Sequence, residues 1–381
     1  MGRSRVEEVP LGTDAEMTHT GFWKPSLHPV VIYVISRAGV LGIFGAAALS
    51  LHRTMIAQVA GWDSKWYLMI AAKGYVHHIP PGHGNPAQSD LGFFPLMPLL
   101  IRWTHDVSGV GFSVAGVIAS IVMGLLASVA LWWLLADVYG PLGADHGTAL
   151  VFLSPGAFIL SMVYSEGAII FFVACSLLAL RRHLWVAAGV CAAFATAADP
   201  VGCAVIVPCV VAAAIAWHTQ RDWRALWAPL LAPLGVGTFF FYLWRHTGSP
   251  LTWFRAQRAG WQGGTFGNGV PNSWLHFASH GMHDVNSSVK ALSALAAIGL
   301  LIYFFRAHPP APWVAYSLTV LAMGIASPIV GITPRLLLRG FPLLGVVGAR
   351  LPPKWFEVIL TISVLTMAVL TVASGSPHWT P

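Results

Sequence analysis

Long apolar stretches separated by short polar turns run through most of the chain, and two long polar loops, at about 52–112 and 245–288, interrupt the series. A membrane-crossing helix needs about 20 apolar residues, because the bilayer core has no water to satisfy the backbone. The pattern therefore predicts an all-α polytopic membrane protein with about eleven transmembrane helices. The predicted spans are 30–51, 113–136, 148–161, 167–180, 184–197, 201–217, 226–243, 289–305, 313–330, 336–349 and 356–373.

The composition leaves no room for a sizeable soluble domain. Of the 381 residues, 56% are hydrophobic and 9% are charged, and the mean hydropathy is +0.69. Soluble domains carry about 25% charged residues. The net charge of +7 comes from scattered basic residues, which favours anionic lipid surfaces and lipid phosphates over nucleic acid as partners. The four cysteines lie inside apolar stretches and are interpreted as small buried residues.

Polar segments at both ends frame one transmembrane domain. Residues 1–28 are predicted to form a cytoplasmic tail, 29–374 the membrane domain and 375–381 a C-terminal tail. The turns predicted to face the cytoplasm carry arginines, such as Arg181 and Arg182, whereas the short opposite turns at 164–166 and 199–200 carry none. This difference fits the positive-inside rule, which counts short loops. The two long loops, although they also contain basic residues, are therefore predicted to lie outside.

An acidic residue follows the first predicted span, in the segment Gly61-Trp62-Asp63-Ser64-Lys65-Trp66-Tyr67. The three aromatic side chains of this segment prefer the depth of lipid headgroups. Asp63 is suited to be a general base at the membrane surface and also to be the N-cap of the following helix, and the two roles are compatible. Farther along the loop, two prolines three residues apart in Phe93-Phe94-Pro95-Leu96-Met97-Pro98 predict a half-helix that dips into the membrane.

Further charged residues are predicted on the same outer face, Asp199 among them. Glu166 opens a predicted helix, where the helix dipole favours a carboxylate; the alternatives are that it binds acceptor hydroxyls or assists Asp63. Arg335 and Arg339 are four residues apart, hence on one helical face, and suit a phosphodiester; the alternative is that they extend to the headgroups. Arg37, inside the first span, is expected to face the helix bundle rather than lipid.

Loop side chains complete the predicted substrate site. Trp62, Lys65 and His78 are predicted to contact substrate, with His78 hydrogen-bonding the sugar or the acceptor. Histidines of the second loop have i, i+4, i+7 spacing, but a metal site there is the weaker alternative, and neither a metal nor another cofactor is predicted. These loop residues are His276, His280, His283 and Asp284. The glycines at 263–269 lack the Gly-Lys-Ser/Thr ending of a phosphate loop, so no nucleotide site follows.

Several short motifs, in this order along the chain, resemble the PIG-V family of mannosyltransferases and their bacterial relatives. They are Trp62-Asp63-Ser64, Phe93-Phe94-Pro95-Leu96 with Pro98, Tyr164-Ser165-Glu166, Pro334-Arg335 and Phe341-Pro342-Leu343. The resemblance implies a GT-C glycosyltransferase fold, a polyprenyl-phosphate sugar donor, usually mannose, and inversion at the anomeric carbon, with Asp63 as the base. One position departs from the family pattern, because Asp199 stands where the family usually has Arg.

The predicted function is transfer of a sugar, expected to be mannose, from a polyprenyl phosphate to a lipid-linked or cell-envelope glycan acceptor. The protein is expected in the plasma membrane, with its active site on the extracytoplasmic face. The alternatives are a lipid or glycolipid flippase and an inactive scaffold. Convergence of Asp63, Glu166 and Arg335 on one outer cavity favours the enzyme, whereas a polar path through the core favours transport.

Overall fold

A computed structural model describes residues 28–50, 52, 54–81, 87–261, 269–280, 285–327 and 330–375, except for the side chain at position 280. The predicted tails at 1–28 and 375–381 lie outside these residues, apart from His28 and Gly375. Within these ranges the secondary structure is entirely α-helix and short 3₁₀ segments.

The α-helices are α1 His28–Ser50, α2 Met55–Val59, α3 Ser64–Lys73, α4 Leu96–Ser108, α5 Phe112–Phe152, α6 Glu166–Arg181, α7 Trp185–Thr196, α8 Ile206–Gln220, α9 Trp227–Leu231, α10 Leu234–Thr247, α11 Thr252–Gly260, α12 Gly269–His280, α13 Val285–Arg306, α14 Ala311–Ala326, α15 Pro334–Arg339, α16 Phe341–Arg350 and α17 Pro353–Ala373. The 3₁₀ segments are Asp90–Gly92, Pro155–Ser161, Pro200–Val205 and Trp223–Leu226.

Several helices are long and apolar enough to cross a membrane. Six helical stretches of the described chain meet that length, and a seventh results if the 3₁₀ segment Pro155–Ser161 and α6, bent by 107°, are counted as one broken span. The apolar helices α7, α14 and α16 are shorter. The prediction of an all-α polytopic membrane protein is confirmed. Full-length crossings are fewer than the eleven apolar stretches because some stretches form short helices or parts of one broken helix.

Helix α5 shows why the predicted boundaries differ from the structure. The chain runs as one helical stretch from Phe112 to Phe152, but Gly140 has φ +71° and Pro141 begins the second half. Proline cannot donate the backbone hydrogen bond of a helix interior, and glycine tolerates the positive φ that turns the chain. The predicted third span, 148–161, is therefore the end of α5 followed by a 3₁₀ segment, not an independent crossing.

The Phe-Phe-Pro segment leads into α4. Pro95 precedes this helix and Pro98 lies in its first turn, where a missing N–H leaves no helical hydrogen bond unmade. One face of α4 is buried, whereas a stripe at four-residue spacing, Leu99, Trp103 and Val107, is 60–69% exposed. An exposed apolar stripe of this kind suits a helix that lies against lipid.

Arg37 is buried in the bundle, as expected. Its guanidinium donates to the carbonyl oxygens of Ala157 (2.5 Å) and Phe152 (3.1 Å) and to Ser161 Oγ (3.0 Å). All three acceptors lie at the break between α5 and α6, where the helical ladder is interrupted. Arg37 thus satisfies backbone groups that the break exposes and ties α1 to the broken span.

Candidate active site

An interruption of the helical backbone between α5 and α6 places the start of α6 inside the protein. The 3₁₀ segment Pro155–Ser161 ends before Tyr164, and α6 begins at Glu166, whose side chain is 0% exposed. Close backbone contacts hold this break in place. A Cβ at Gly156 would lie 2.2 Å from the Pro334 carbonyl oxygen, and one at Gly167 would lie 2.8 Å from the Gly124 nitrogen. Only glycine permits these approaches, which bring α15 against the 3₁₀ segment and α5 against the start of α6.

Helix α15 carries both predicted arginines. Thr333 caps it by accepting a hydrogen bond from the Leu336 N–H (3.1 Å), and Pro334 occupies the first helical position. These are the preferred residues for a helix start. The short helix presents Arg335 and Arg339, one turn apart, to the start of α6, as the four-residue spacing predicts.

Glu166 joins the two arginines. Its Oε1 accepts from Arg335 Nε and from Arg339 Nε (3.1 Å) and Nη2 (2.7 Å). Glu166 Oε2 is buried without a hydrogen-bond partner among the described residues. The carboxylate is therefore completely enclosed and serves two guanidiniums through a single oxygen.

Asp199 is a second buried carboxylate in the same network. Its Oδ1 caps the 3₁₀ segment Pro200–Val205 by accepting from the Val201 N–H (2.9 Å), while its Oδ2 accepts from Arg339 Nη2 (3.0 Å). The sequence places Asp199 on the predicted outer face and marks it as a departure from the family pattern. The structure makes it a contact of Arg339, a role that sequence analysis did not assign to it.

Asp63 lies at the open edge of the network. Its Oδ2 is 3.7 Å from Arg335 Nη1, and its backbone N–H donates to Tyr164 Oη (3.2 Å). Although Asp63 immediately precedes α3, its side chain makes no capping hydrogen bond. The predicted side-chain cap is therefore wrong, because the carboxylate points to Arg335 instead of to the α3 backbone.

Exposure falls steadily from the edge of the network to its centre. The exposed fraction of the side chain is 37% for Asp63, 18% for Arg335, 11% for Arg339 and Asp199, and 0% for Glu166. A ligand that approaches the network therefore meets Asp63 and Arg335 first. Burial is the largest cause of the raised pKa of Asp63. The positive charge of Arg335 opposes this increase, and the negative charge of Glu166 adds to it.

Aromatic residues surround this edge. The Arg335 guanidinium lies 4.5 Å from the centre of the Tyr164 ring, a cation–π distance. Trp66 stacks on Phe93 at 5.8 Å between ring centres, and Trp261 contacts Phe93 at 5.5 Å. Phe93 belongs to the first long loop and Trp261 to the second, so the two loops meet beside Asp63.

Three of the predicted substrate residues lie outside the ionic network. Trp62, at φ +57°, donates from Nε1 to the Ser374 carbonyl oxygen (2.9 Å), and this bond fixes the backbone just before Asp63. Lys65 is exposed, with Nζ 4.8 Å from the Trp66 ring centre. His78 is exposed beside His77, and it makes none of the contacts of the network.

The histidines of the second loop give no metal site in the described part of the chain, where no group of three metal-ligating side chains occurs. His276 lies on α12, but the His280 side chain, His283 and Asp284 fall outside the described residues. The glycine stretch at 263–268 also falls outside them.

Comparison with solved structures identifies the fold. A crystal structure of ArnT from Cupriavidus metallidurans bound to undecaprenyl phosphate superposes with a TM-score of 0.56 at 14% identity, covering 89% of this chain and 64% of that one. The apo structure of the same protein gives 0.53 at 16% identity, covering 87% and 61%. This chain thus spans less than two thirds of the length of ArnT. The likeness shows that this chain shares the polytopic helical fold of ArnT. No family model and no curated protein sequence matches the chain.

Proposed function

We propose that this protein is a membrane glycosyltransferase that uses a polyprenyl-phosphate sugar as donor. The observation that carries the proposal is the meeting of Asp63, Glu166 and Arg335 where α3, α6 and α15 begin, with Asp63 and Arg335 the more exposed members. A carboxylate beside a guanidinium supplies the two groups that such a transfer needs, a proton acceptor and an anion binder. The ArnT structure that shares this fold holds undecaprenyl phosphate, which supports a lipid-borne donor.

The proposed reaction is a single inverting displacement. An acceptor hydroxyl oxygen bonds to the anomeric carbon while the bond from that carbon to the phosphate oxygen breaks, and the bonding electrons leave with polyprenyl phosphate. The hydroxyl proton passes to an oxygen of Asp63. Inversion requires one such carboxylate on the side opposite the leaving group and no covalent intermediate, as in inverting glycosidases.

Each arginine and Glu166 takes a distinct role in this scheme. Arg335, with its Nη2 free of hydrogen bonds among the described residues, binds the departing phosphate. Glu166 is fully enclosed, so we assign it to holding Arg335 and Arg339 in place rather than to binding acceptor hydroxyls. Trp62 sets the backbone of Asp63 through its bond to Ser374. Lys65 and His78, both exposed, would contact substrate only outside the ionic network.

We propose mannose as the sugar and a glycolipid or cell-envelope glycan as the acceptor, on the strength of the motif resemblance. By the charge of the short turns, the site would face the extracytoplasmic side of the plasma membrane. The flippase alternative requires a polar path through the core. The five charged residues instead cluster on α15 and at the starts of α3, α6 and the segment Pro200–Val205.

The test is turnover by the purified full chain in proteoliposomes. Polyprenyl phosphate carrying radiolabelled mannose, glucose or a pentose is supplied with a glycolipid extract as acceptor. We expect labelled glycolipid, with equimolar release of polyprenyl phosphate, from the mannosyl donor. Transfer from another donor would correct the sugar alone. Movement of the intact donor lipid across the bilayer without sugar transfer would contradict the glycosyltransferase proposal and support the flippase.

A further inference from the structure

The two arginines of the network are not equivalent. Arg339 donates to two buried carboxylates, through Nε and Nη2 to Glu166 and through Nη2 to Asp199. Its backbone is also held, because Tyr316 Oη donates to the Arg339 carbonyl oxygen (3.0 Å). Arg335, by contrast, donates a hydrogen bond to one carboxylate, that of Glu166. Its contact with Asp63 is longer, with 3.7 Å between Arg335 Nη1 and Asp63 Oδ2. Each arginine thus contacts two carboxylates. Both carboxylates of Arg339 are buried hydrogen-bond acceptors, whereas the second contact of Arg335 is the longer one to the more exposed Asp63, on the side open to a ligand.

We propose that Asp199 is a positioning residue that withholds Arg339 from the donor phosphate, so that Arg335 alone binds it. This inference rests on the proposed function. Three carboxylates and two guanidiniums give the network a formal charge of 2 − 3 = −1 when all are ionised. Such a network binds an anionic phosphate weakly, which suits an enzyme that must release polyprenyl phosphate after each transfer.

Asparagine at position 199 isolates the charge from the fold. Its side-chain oxygen retains the capping bond to the Val201 N–H, so the start of the segment Pro200–Val205 is preserved. Its amide carries no charge, so the network becomes formally neutral. Arg339 Nη2 keeps its hydrogen bond to Glu166 (2.7 Å) but loses the carboxylate acceptor at 199, which leaves its second N–H available to a phosphate oxygen. A charge-assisted hydrogen bond from a partly buried guanidinium is worth about a tenfold gain in affinity.

The experiment measures binding of undecaprenyl phosphate and of undecaprenol to the full chain in nanodiscs of neutral lipid. For Asp199→Asn we expect about tenfold tighter binding of the phosphate, with binding of the alcohol unchanged. Asp199→Glu keeps a carboxylate at position 199, so its phosphate affinity should lie near that of the unsubstituted protein. Asp90→Asn is the matched control, because Asp90 is also a buried carboxylate that accepts from a backbone N–H, that of Val76, but it contacts neither arginine.

The outcomes separate the inference from the proposed function. Equal or weaker phosphate binding by Asp199→Asn, with a folded protein and measurable binding by the unsubstituted chain, would overturn the role of Asp199 and leave the glycosyltransferase proposal intact. A gain of the same size in Asp90→Asn would also overturn it, because the effect would then follow net charge. Absence of lipid-phosphate binding by the unsubstituted chain would remove both. A purely structural role for Asp199 would change stability without changing the preference for phosphate over alcohol.

Discussion

Helix α6 carries ion pairs at both of its ends, and the two ends differ in burial. At its start, Glu166 is 0% exposed and holds two arginines that are 18% and 11% exposed. At its end, Arg181 Nε donates to Asp137 Oδ2 (2.7 Å), Arg182 lies 3.6 Å from Asp137 Oδ1, and these side chains are 25–39% exposed. Pairs of arginine and a carboxylate therefore occur in a buried environment at the start of α6 and in a partly exposed one at its end.

The difference in burial between the two ends indicates which ion pairs stability alone can explain. Exposed ion pairs contribute about 0–1 kcal/mol each, so the pair at the end of α6 suits a solvated, basic turn. Buried ion pairs are costly to desolvate, and apolar residues of similar size often serve stability as well or better. A group of five charged residues, three of them buried, in an apolar bundle is thus better explained by chemistry at its open edge than by stability.

The largest effect is expected at that edge. Asp63→Asn should lower kcat/KM for sugar transfer about 10²–10⁴-fold, because an amide cannot take the proton of the acceptor hydroxyl. The measurement is initial-rate turnover with a saturating acceptor. Asp106→Asn provides the matched control, since Asp106 is an exposed aspartate of the same long loop, on α4. Equal turnover by Asp63→Asn and Asp106→Asn would exclude Asp63 as the base.

A second test breaks the buried network from within. Arg339→Gln should lower the free energy of unfolding by about 3–5 kcal/mol, because Asp199 then loses its cation and Glu166 keeps only one. The double variant Arg339→Gln/Asp199→Asn should recover part of that loss, since a positive and a negative charge leave together. Unfolding in detergent measures both. Additive losses in the double variant would contradict a direct interaction between Arg339 and Asp199.

The raised pKa of Asp63 predicts a pH effect. A base must be ionised to act, so the acidic limb of the kcat/KM profile should lie above the pH at which an ordinary aspartate titrates. Arg335 opposes the effect of burial, so Arg335→Gln should move that limb to still higher pH. Because the folded state binds this proton more tightly, the contribution of Asp63 to stability should fall as pH rises through its folded pKa. An acidic limb that stays in place in Arg335→Gln would contradict the coupling.

Much of the fold and part of the site follow from the sequence. Hydrophobic length predicts the helices, and alternation of sides predicts that Asp63, Glu166 and Arg335 meet at one end. The arginine pair is also predictable, because four-residue spacing places Arg335 and Arg339 on one face of a helix.

What the sequence could not predict depends on the path of non-helical backbone. The bend of 107° before α6 and the partner of Asp199 are tertiary features that no periodic pattern encodes. The Asp-Pro pair at 199–200 does signal a helix start, but that signal does not say which cation the second carboxylate oxygen meets. His78 lies on an extended loop, where sequence separation from Asp63 says nothing about distance, and the structure leaves it outside the network.

The smallest effect on stability is expected at the partly exposed end of α6. Its size is the reference for the effects expected at the buried start of the helix. Asp137→Asn and Arg181→Gln should each lower the free energy of unfolding by no more than about 1 kcal/mol, because water already solvates these side chains. Their double-mutant cycle should give a coupling several times smaller than the cycle of Arg339 and Asp199, and sugar transfer should be unchanged. Couplings of equal size at the two ends would mean that burial does not distinguish them, and would contradict retention of the buried network for chemistry.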